Sequence, residues 1–329
     1  MKGMNLLCLG LLGCVGILVG CKATAPVTND GSSEQHELTY DGINRTYSVY
    51  LPNDLESSGS VALLVALHGG GGSAEKWPGY TNNGFERLAD REGFILVYPN
   101  GLEGHWNDGR GVDRFYSQHE NIDDAGFLAR LIDVLKASYP IDANRVYVTG
   151  ASNGGMMAHK LAAEYSDKVT AIASVISSIP KNLEGRLYPT HPVSVLMMNG
   201  TEDPIVPWEG GAVSFGNTTN GYVMSTQQSL DFWVYHNNCD ASAITTTLPD
   251  TNPDDGTRVE RMNFTNCNAG SEVVLYKVNG GGHTWPAFED YRGPIGQGII
   301  EALVGRKSRD IDACEVIWEF FKGLTRREF

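Results

Sequence analysis

Residues Arg145 to Tyr165, RVYVTGASNGGMMAHKLAAEY, fence one serine with glycines between an apolar β-branched run and an apolar repeat of helical period. If Val146–Thr149 is a strand and Asn153–Glu164 a helix, Gly150-Ala151-Ser152-Asn153-Gly154 is the sharp turn between them, the context of a nucleophile elbow. A nucleophile at the crest of such a turn sits in strained backbone. Strand and helix then approach so closely that the positions two before and two after it tolerate little side chain. Gly150 and Gly154 meet that demand. The pentapeptide alone is weak evidence, so its partners decide its meaning.

A serine hydroxyl attacks a carbonyl only when a base takes its proton and an acid orients that base. Where a G-x-S-x-G elbow is used, the chain order is Ser, then Asp or Glu, then His. Of the eight histidines, His191, His236 and His283 follow Ser152. His191 precedes a strand-like run, at its wrong end, and His236 lies in the helix-patterned SLDFWVYHNN. His283, in VNGGGHTWP, follows a strand on a loop whose glycines let the backbone bring an imidazole inward. The acid is expected after VSVLMMNG, where Glu202 and Asp203 stand together. Asp203, followed by proline, is the choice and Glu202 the reserve. Negative charge on the attacked oxygen needs preorganised N–H donors. The Asn153 amide is one. The other is expected from His68-Gly69-Gly70-Gly71-Gly72, with the Gly70 amide favoured within one residue of register and His68 as the pin of the loop. No Gly-Lys-Ser/Thr ending makes that loop a phosphate cradle.

These residues need a scaffold that brings strand ends together. From Tyr40 the chain alternates apolar strand-like runs (VALLVALHG, FILVYPNG, RVYVTG, VSVLMMNG, SEVVLYKVNG) with helical stretches. That pattern predicts an α/β fold with a mostly parallel central sheet and helices on both faces, with ligands beyond the carboxyl ends of the strands. Each candidate residue falls at such an end.

The chain has 329 residues, 41% of them hydrophobic and 19% charged, enough to bury a large core. A net charge of −14 without basic clusters argues against a nucleic-acid surface. Residues 1–20 read as an export signal ending in Leu18-Val19-Gly20-Cys21, which resembles a bacterial lipobox with Cys21 as the lipidated residue; an ordinary signal peptide is the alternative. Residues 21–39 read as a flexible tether, and 40–329 as one catalytic domain. Of the six cysteines, Cys239 and Cys267 would close a loop of about 28 residues, worth about 3–4 kcal/mol if oxidised. Cys314 reads as a buried free thiol in an amphipathic helix. No Cys-x-x-Cys or paired-histidine spacing suggests a metal, and no cofactor is called for.

LHGGGGSAEKW, WNDGRG, DDAGFLARLID, RVYVTGASNGGMMA, NGTEDPIVPW, GGGHTWP and SRDIDACEVIWEFF together resemble the polyhydroxybutyrate-depolymerase-like and feruloyl-esterase-like α/β-hydrolases, grouped with the family-one carbohydrate esterases. The resemblance runs from about residue 40 to the C-terminus. It implies an exported serine carboxylesterase with Ser152, Asp203 and His283 as triad, and it supports pairing Cys239 with Cys267. Depolymerase relatives often carry a cysteine after His-Gly in the oxyanion loop, where this chain has Gly70. A backbone donor survives that change.

The expected substrates are feruloyl, acetyl or other small acyl esters of polysaccharide fragments, met at the outer membrane through the lipid on Cys21. Poly(3-hydroxybutyrate) or its oligomers are the alternative, and a peptidase or a catalytically dead binding lipoprotein are weaker rivals. Trp106, Trp208 and Trp285, each near a candidate loop, are expected to rim the pocket, where an aryl group or sugar ring could stack.

Overall fold

Among the described residues up to 279, twelve strands and six α-helices organise the chain in a computed structural model that describes residues 33–53, 55, 59–288 and 301–327. The strands are β1 (Glu34–Tyr40), β2 (Ile43–Tyr50), β3 (Val61–Leu67), β4 (Ile95–Pro99), β5 (Ile141–Ala151), β6 (Ala171–Val175), β7 (Ser194–Gly200), β8 (Gly211–Phe215), β9 (Thr218–Val223), β10 (Ile244–Thr247), β11 (Arg258–Phe264) and β12 (Val273–Asn279). The helices are α1 (Trp77–Tyr80), α2 (Gly84–Glu92), α3 (Tyr116–His119), α4 (Asp124–Ser138), α5 (Asn153–Glu164) and α6 (Thr226–His236), and a last helix spans Ala313–Lys322. Ten strands form one sheet in the order β1-β2-β4-β3-β5-β6-β7-β12-β11-β10. From β4 to β12 all neighbours run parallel, and the flanking strands are antiparallel.

The central strands β3, β4, β6 and β7 are buried at every position because both faces of the sheet are covered. Alternate residues of β3 divide between two cores. Leu63, Val65 and Leu67 pack with Phe127 of α4 and Leu161 of α5. Ala62, Leu64 and Ala66 pack with Phe85 of α2 and Phe321 of the last helix. At about 25 cal/mol per Å² of apolar surface, these two layers hold the strand ends that carry the site. Helices on both faces of a mostly parallel sheet are what the alternating pattern predicted.

The tether ends sooner than residue 39. Glu34–Tyr40 is a strand, in register with β2 from Glu34 opposite Val49 to Tyr40 opposite Ile43. Asp41 and Gly42, both at positive φ (48° and 74°), make the two-residue turn between them, a left-handed geometry suited to the twist of a hairpin. The strand escapes a compositional reading because it is half exposed and rich in polar residues. The hairpin of β8 and β9 forms a separate two-stranded sheet. Cys239 and Cys267 are joined by a disulfide that ties the end of α6 to the end of β11. Cys314 is a buried free thiol whose pKa burial pushes well up. The signal segment 1–20 and Cys21 lie outside the described residues. Among the described residues no helix is long and apolar enough to cross a membrane.

Candidate active site

Four strand ends meet at the carboxyl edge of the sheet. Ser152 stands between β5 and α5 at φ 54° and ψ −119°, a conformation that costs a residue with a side chain on the order of 1–3 kcal/mol. Its own N–H donates to Val175 O (2.9 Å) and its carbonyl accepts from Met156 N (2.9 Å), which hold the crest in place. The flanking glycines are needed on steric grounds. A Cβ on Gly150 would lie 2.5 Å from Gly154 O, and one on Gly154 would strike Leu67 O and stand 2.5 Å from His68 O.

Asp203 and His283 come from the loops after the adjacent strands β7 and β12. His283 Nδ1–H donates to Asp203 Oδ2 at 2.8 Å. Asp203 Oδ1 accepts from Ile205 N and Val206 N, both at 2.8 Å, so the carboxylate is clamped from two sides. Because the carboxylate only accepts, the imidazole carries its proton on Nδ1 and leaves Nε2 as the basic nitrogen. Glu202 turns outward: it is exposed and pairs with Arg306 at 3.1 Å. His191 Nδ1 bonds Thr190 Oγ1, and His236 at the end of α6 bonds His191 O, both away from this cluster.

The glycine loop after β3 is pinned from beneath. His68 Nδ1–H donates to Gly69 O (2.8 Å), and Nε2 accepts from Gly101 N (3.0 Å). Gly71 N donates to Gly104 O (2.8 Å) and Gly72 N to Gly69 O (3.0 Å), so these two amides are committed inside the loops. The Gly70 backbone packs beside Asn153, whose Cβ would lie 3.8 Å from a Cβ built on that glycine.

Ser152, His283 and Gly70 open onto one cavity of about 650 Å³, with Trp77, Tyr80 and Trp285 among its walls. Of the three tryptophans expected there, Trp285 alone lines it. Trp106 is fully buried, its indole N–H donating to His68 O (2.9 Å), because the glycine-rich loop around it folds inward. Trp208 packs against the core, with Lys277 Nζ 5.9 Å from its ring centroid. Trp77 and Tyr80, on the single turn of α1, take the places assigned to those two. Trp77 and Trp285 meet edge to face at 5.6 Å, and Tyr80 stacks on Trp77 at 5.1 Å. The signal for them was the aromatic pair in EKWPGY directly after the glycine loop.

Burial pushes His68 from 6.5 down to about 4 and the fully buried His159 to about 3. As pH falls through 6.5 both take up protons in the unfolded chain but stay neutral in the fold. The unfolded state therefore binds more protons, and stability present above 6.5 drains away toward pH 4. The part from His68 is about 3 kcal/mol. Urea unfolding is expected to show its midpoint falling from pH 7 to 4.5, with a shallower fall in His68→Gln. Buried Glu86 and Asp124, whose pKa values burial raises, act in the opposite sense, so the comparison of the two slopes is the measurement. Identical slopes would contradict the assignment.

Residues 45–182 match the family described as Esterase PHB depolymerase. NocK of Nocardia uniformis subsp. tsuyamanensis, a protein named as an esterase, is 28% identical over 302 residues, covering 89% of this chain and 84% of that one. Feruloyl esterase B of Neurospora crassa is 34% identical over 173 residues, 52% of this chain, which spans only 53% of that relative. Feruloyl esterase D of the same organism is 27% identical over 276 residues, covering 80% of this chain and 81% of that relative. Among solved structures, an acetyl xylan esterase from Aspergillus awamori superposes with a TM-score of 0.55 at 16% identity, covering 88% of this chain and 99% of that one, a likeness of fold. With an α/β-hydrolase sheet, these matches make the chain a carboxylic ester hydrolase that is similar to the Esterase PHB depolymerase family over residues 45–182 and to feruloyl esterases.

Proposed function

We propose that the protein hydrolyses carboxylic esters with Ser152 as nucleophile, His283 as base and Asp203 as the orienting acid, and that its substrates are feruloyl, acetyl or other small acyl esters of polysaccharide fragments. The observation that carries the reading is the 2.8 Å bond from His283 Nδ1 to Asp203 Oδ2, in a histidine that shares a cavity with the strained Ser152. His283 Nε2 takes the Ser152 proton as Oγ bonds to the ester carbon. The amides of Gly70 and Asn153 hold the oxyanion, and the C–O bond to the alcohol breaks as His283 returns the proton to the leaving oxygen. Water then repeats the sequence on the acyl-enzyme, releasing the acid and restoring Ser152.

The substrate class rests on the aromatic wall. Trp77, Tyr80 and Trp285 give a planar acyl group or a sugar ring faces and edges to pack on, in a volume within the range of small-molecule sites. A panel on the soluble fragment starting near Lys22 tests it. Feruloylated or acetylated oligosaccharides and small aryl esters are expected to show higher kcat/KM than hydroxybutyrate oligomers, with amides uncleaved. The match of residues 45–182 to the depolymerase family favours a second reading, hydroxybutyrate oligomers. A tenfold win for hydroxybutyrate trimers, about 1.4 kcal/mol of transition-state preference, would make that the function.

The N-terminal pattern supports export with a lipid on Cys21 at the outer membrane. Mass spectrometry of the native protein is expected to find acyl chains on Cys21, lost in Cys21→Ser. An N-terminal peptide without acyl groups would leave plain secretion in its place.

A further inference from the structure

The loop between β4 and α3, residues 101–110, touches both segments that supply the oxyanion donors. Toward the glycine loop, Trp106 Nε1 donates to His68 O (2.9 Å) and Gly104 O accepts from Gly71 N (2.8 Å). Toward α5, the Asn153 side chain, 2% exposed, pairs twice with the Trp106 backbone: Oδ1 accepts from Trp106 N (2.8 Å) and Nδ2 donates to Trp106 O (3.1 Å). The same Nδ2 donates to Asp108 Oδ2 at 2.6 Å. Asp108 is fully buried, and its remaining acceptor sites face Arg110 Nε (2.8 Å), Arg110 N (3.0 Å) and Gln118 Nε2 (3.2 Å).

We propose that Asp108 is a positioning residue: through the Asn153 carboxamide it locks the Asn153 N–H at a fixed separation from the Gly70 N–H, and so sets the width of the oxyanion hole. The role rests on the reading above, in which those two amides are the donors. Donors separated by more than eighty residues of chain must be held to a fraction of an ångström to stabilise charge that appears only in the transition state. A carboxylate suits the position because every acceptor site on it meets a donor. An asparagine would turn its NH2 toward two donors whichever way it sat. Arg110 neutralises the buried charge, so Asp108 does not repel the oxyanion forming nearby.

Asp108→Asn and Asn153→Ala, singly and together, test it on para-nitrophenyl acetate with phenylboronate as the tetrahedral-adduct probe. Asn153→Ala keeps the backbone donor and places alanine at a helix start, so it decides the matter even if Asp108→Asn does not fold. Loss of an oxyanion donor outright costs 10²–10³, and a displaced one is expected to cost kcat about 10- to 100-fold with KM within about threefold. Phenylboronate affinity is expected to weaken by the factor by which kcat/KM falls, and the double variant to lose no more than the worse single. Folded variants with wild-type kcat, a change confined to KM, or losses that multiply would overturn the role. Ser152→Ala measured alongside separates the two claims. If it stays active, the reading of the site fails; if it is dead while Asn153→Ala is unimpaired, only the positioning role does.

Discussion

Ser152→Ala is expected to lower kcat for ester hydrolysis on the order of 10⁴- to 10⁶-fold, with the thermal midpoint nearly unchanged. The hydroxyl is the only group removed. The backbone bonds from Ser152 N to Val175 O and from Met156 N to Ser152 O do not involve it, so the elbow persists. A serine-reactive phosphonate is expected to label the wild type and not the variant. His283→Ala is expected to lose a comparable factor, since members of such a unit fail together. His236→Ala, whose imidazole bonds His191 O at the end of α6, is expected to keep its rate. Undiminished labelling in Ser152→Ala would place the nucleophile elsewhere.

Asp203→Asn is expected to cost about 10⁴ in kcat with little change in stability. Its carboxylate serves two masters: Oδ1 accepts from Ile205 N and Val206 N, Oδ2 from His283 Nδ1. An asparagine has one oxygen. Kept for the two amides, it presents NH2 to the imidazole, which must then accept at Nδ1 and carry its proton on Nε2. That tautomer cannot take the Ser152 proton. Glu202→Gln, at an exposed pair with Arg306 worth less than about 1 kcal/mol, is expected to leave the rate within a few-fold. Steady-state rates and urea unfolding of both variants check this, and a severe loss in Glu202→Gln instead would move the acid by one residue.

The turn at Ser152, the places of Asp203 and His283 just after strands, and the parallel core were legible because each is local or periodic. A strand, a glycine-fenced turn and a helix are written in twenty-one consecutive residues, and mostly apolar strands announce a sheet covered on both sides. The antiparallel margins were not. The β10 strand is exposed at all four positions and β1 alternates only weakly, so their pairing, not burial, makes them strands. The Asp41-Gly42 dipeptide is a hairpin signal that the reading of a tether to residue 39 passed over. Trp106 was misplaced for a different reason. Glycine and polar neighbours make its loop look like surface, and what buries it are bonds to His68 and Asn153, 38 and 47 residues away. The same long-range network hid Asp108, whose role depends on partners that no local window contains.

The scattering of the site along the chain sets when catalysis can begin. Asp203 and His283 are 80 residues apart, and the strand that leads into Ser152 is fastened in its middle by Tyr147 OH to Leu324 O, 177 residues on. No N-terminal fragment that stops short of His283 holds the full set, and a parallel sheet closes late because the loop entropy of distant contacts comes before their reward. Turnover therefore reports completion of the whole domain: in a refolding experiment it is expected to lag collapse and to stay silent until the last helix has docked.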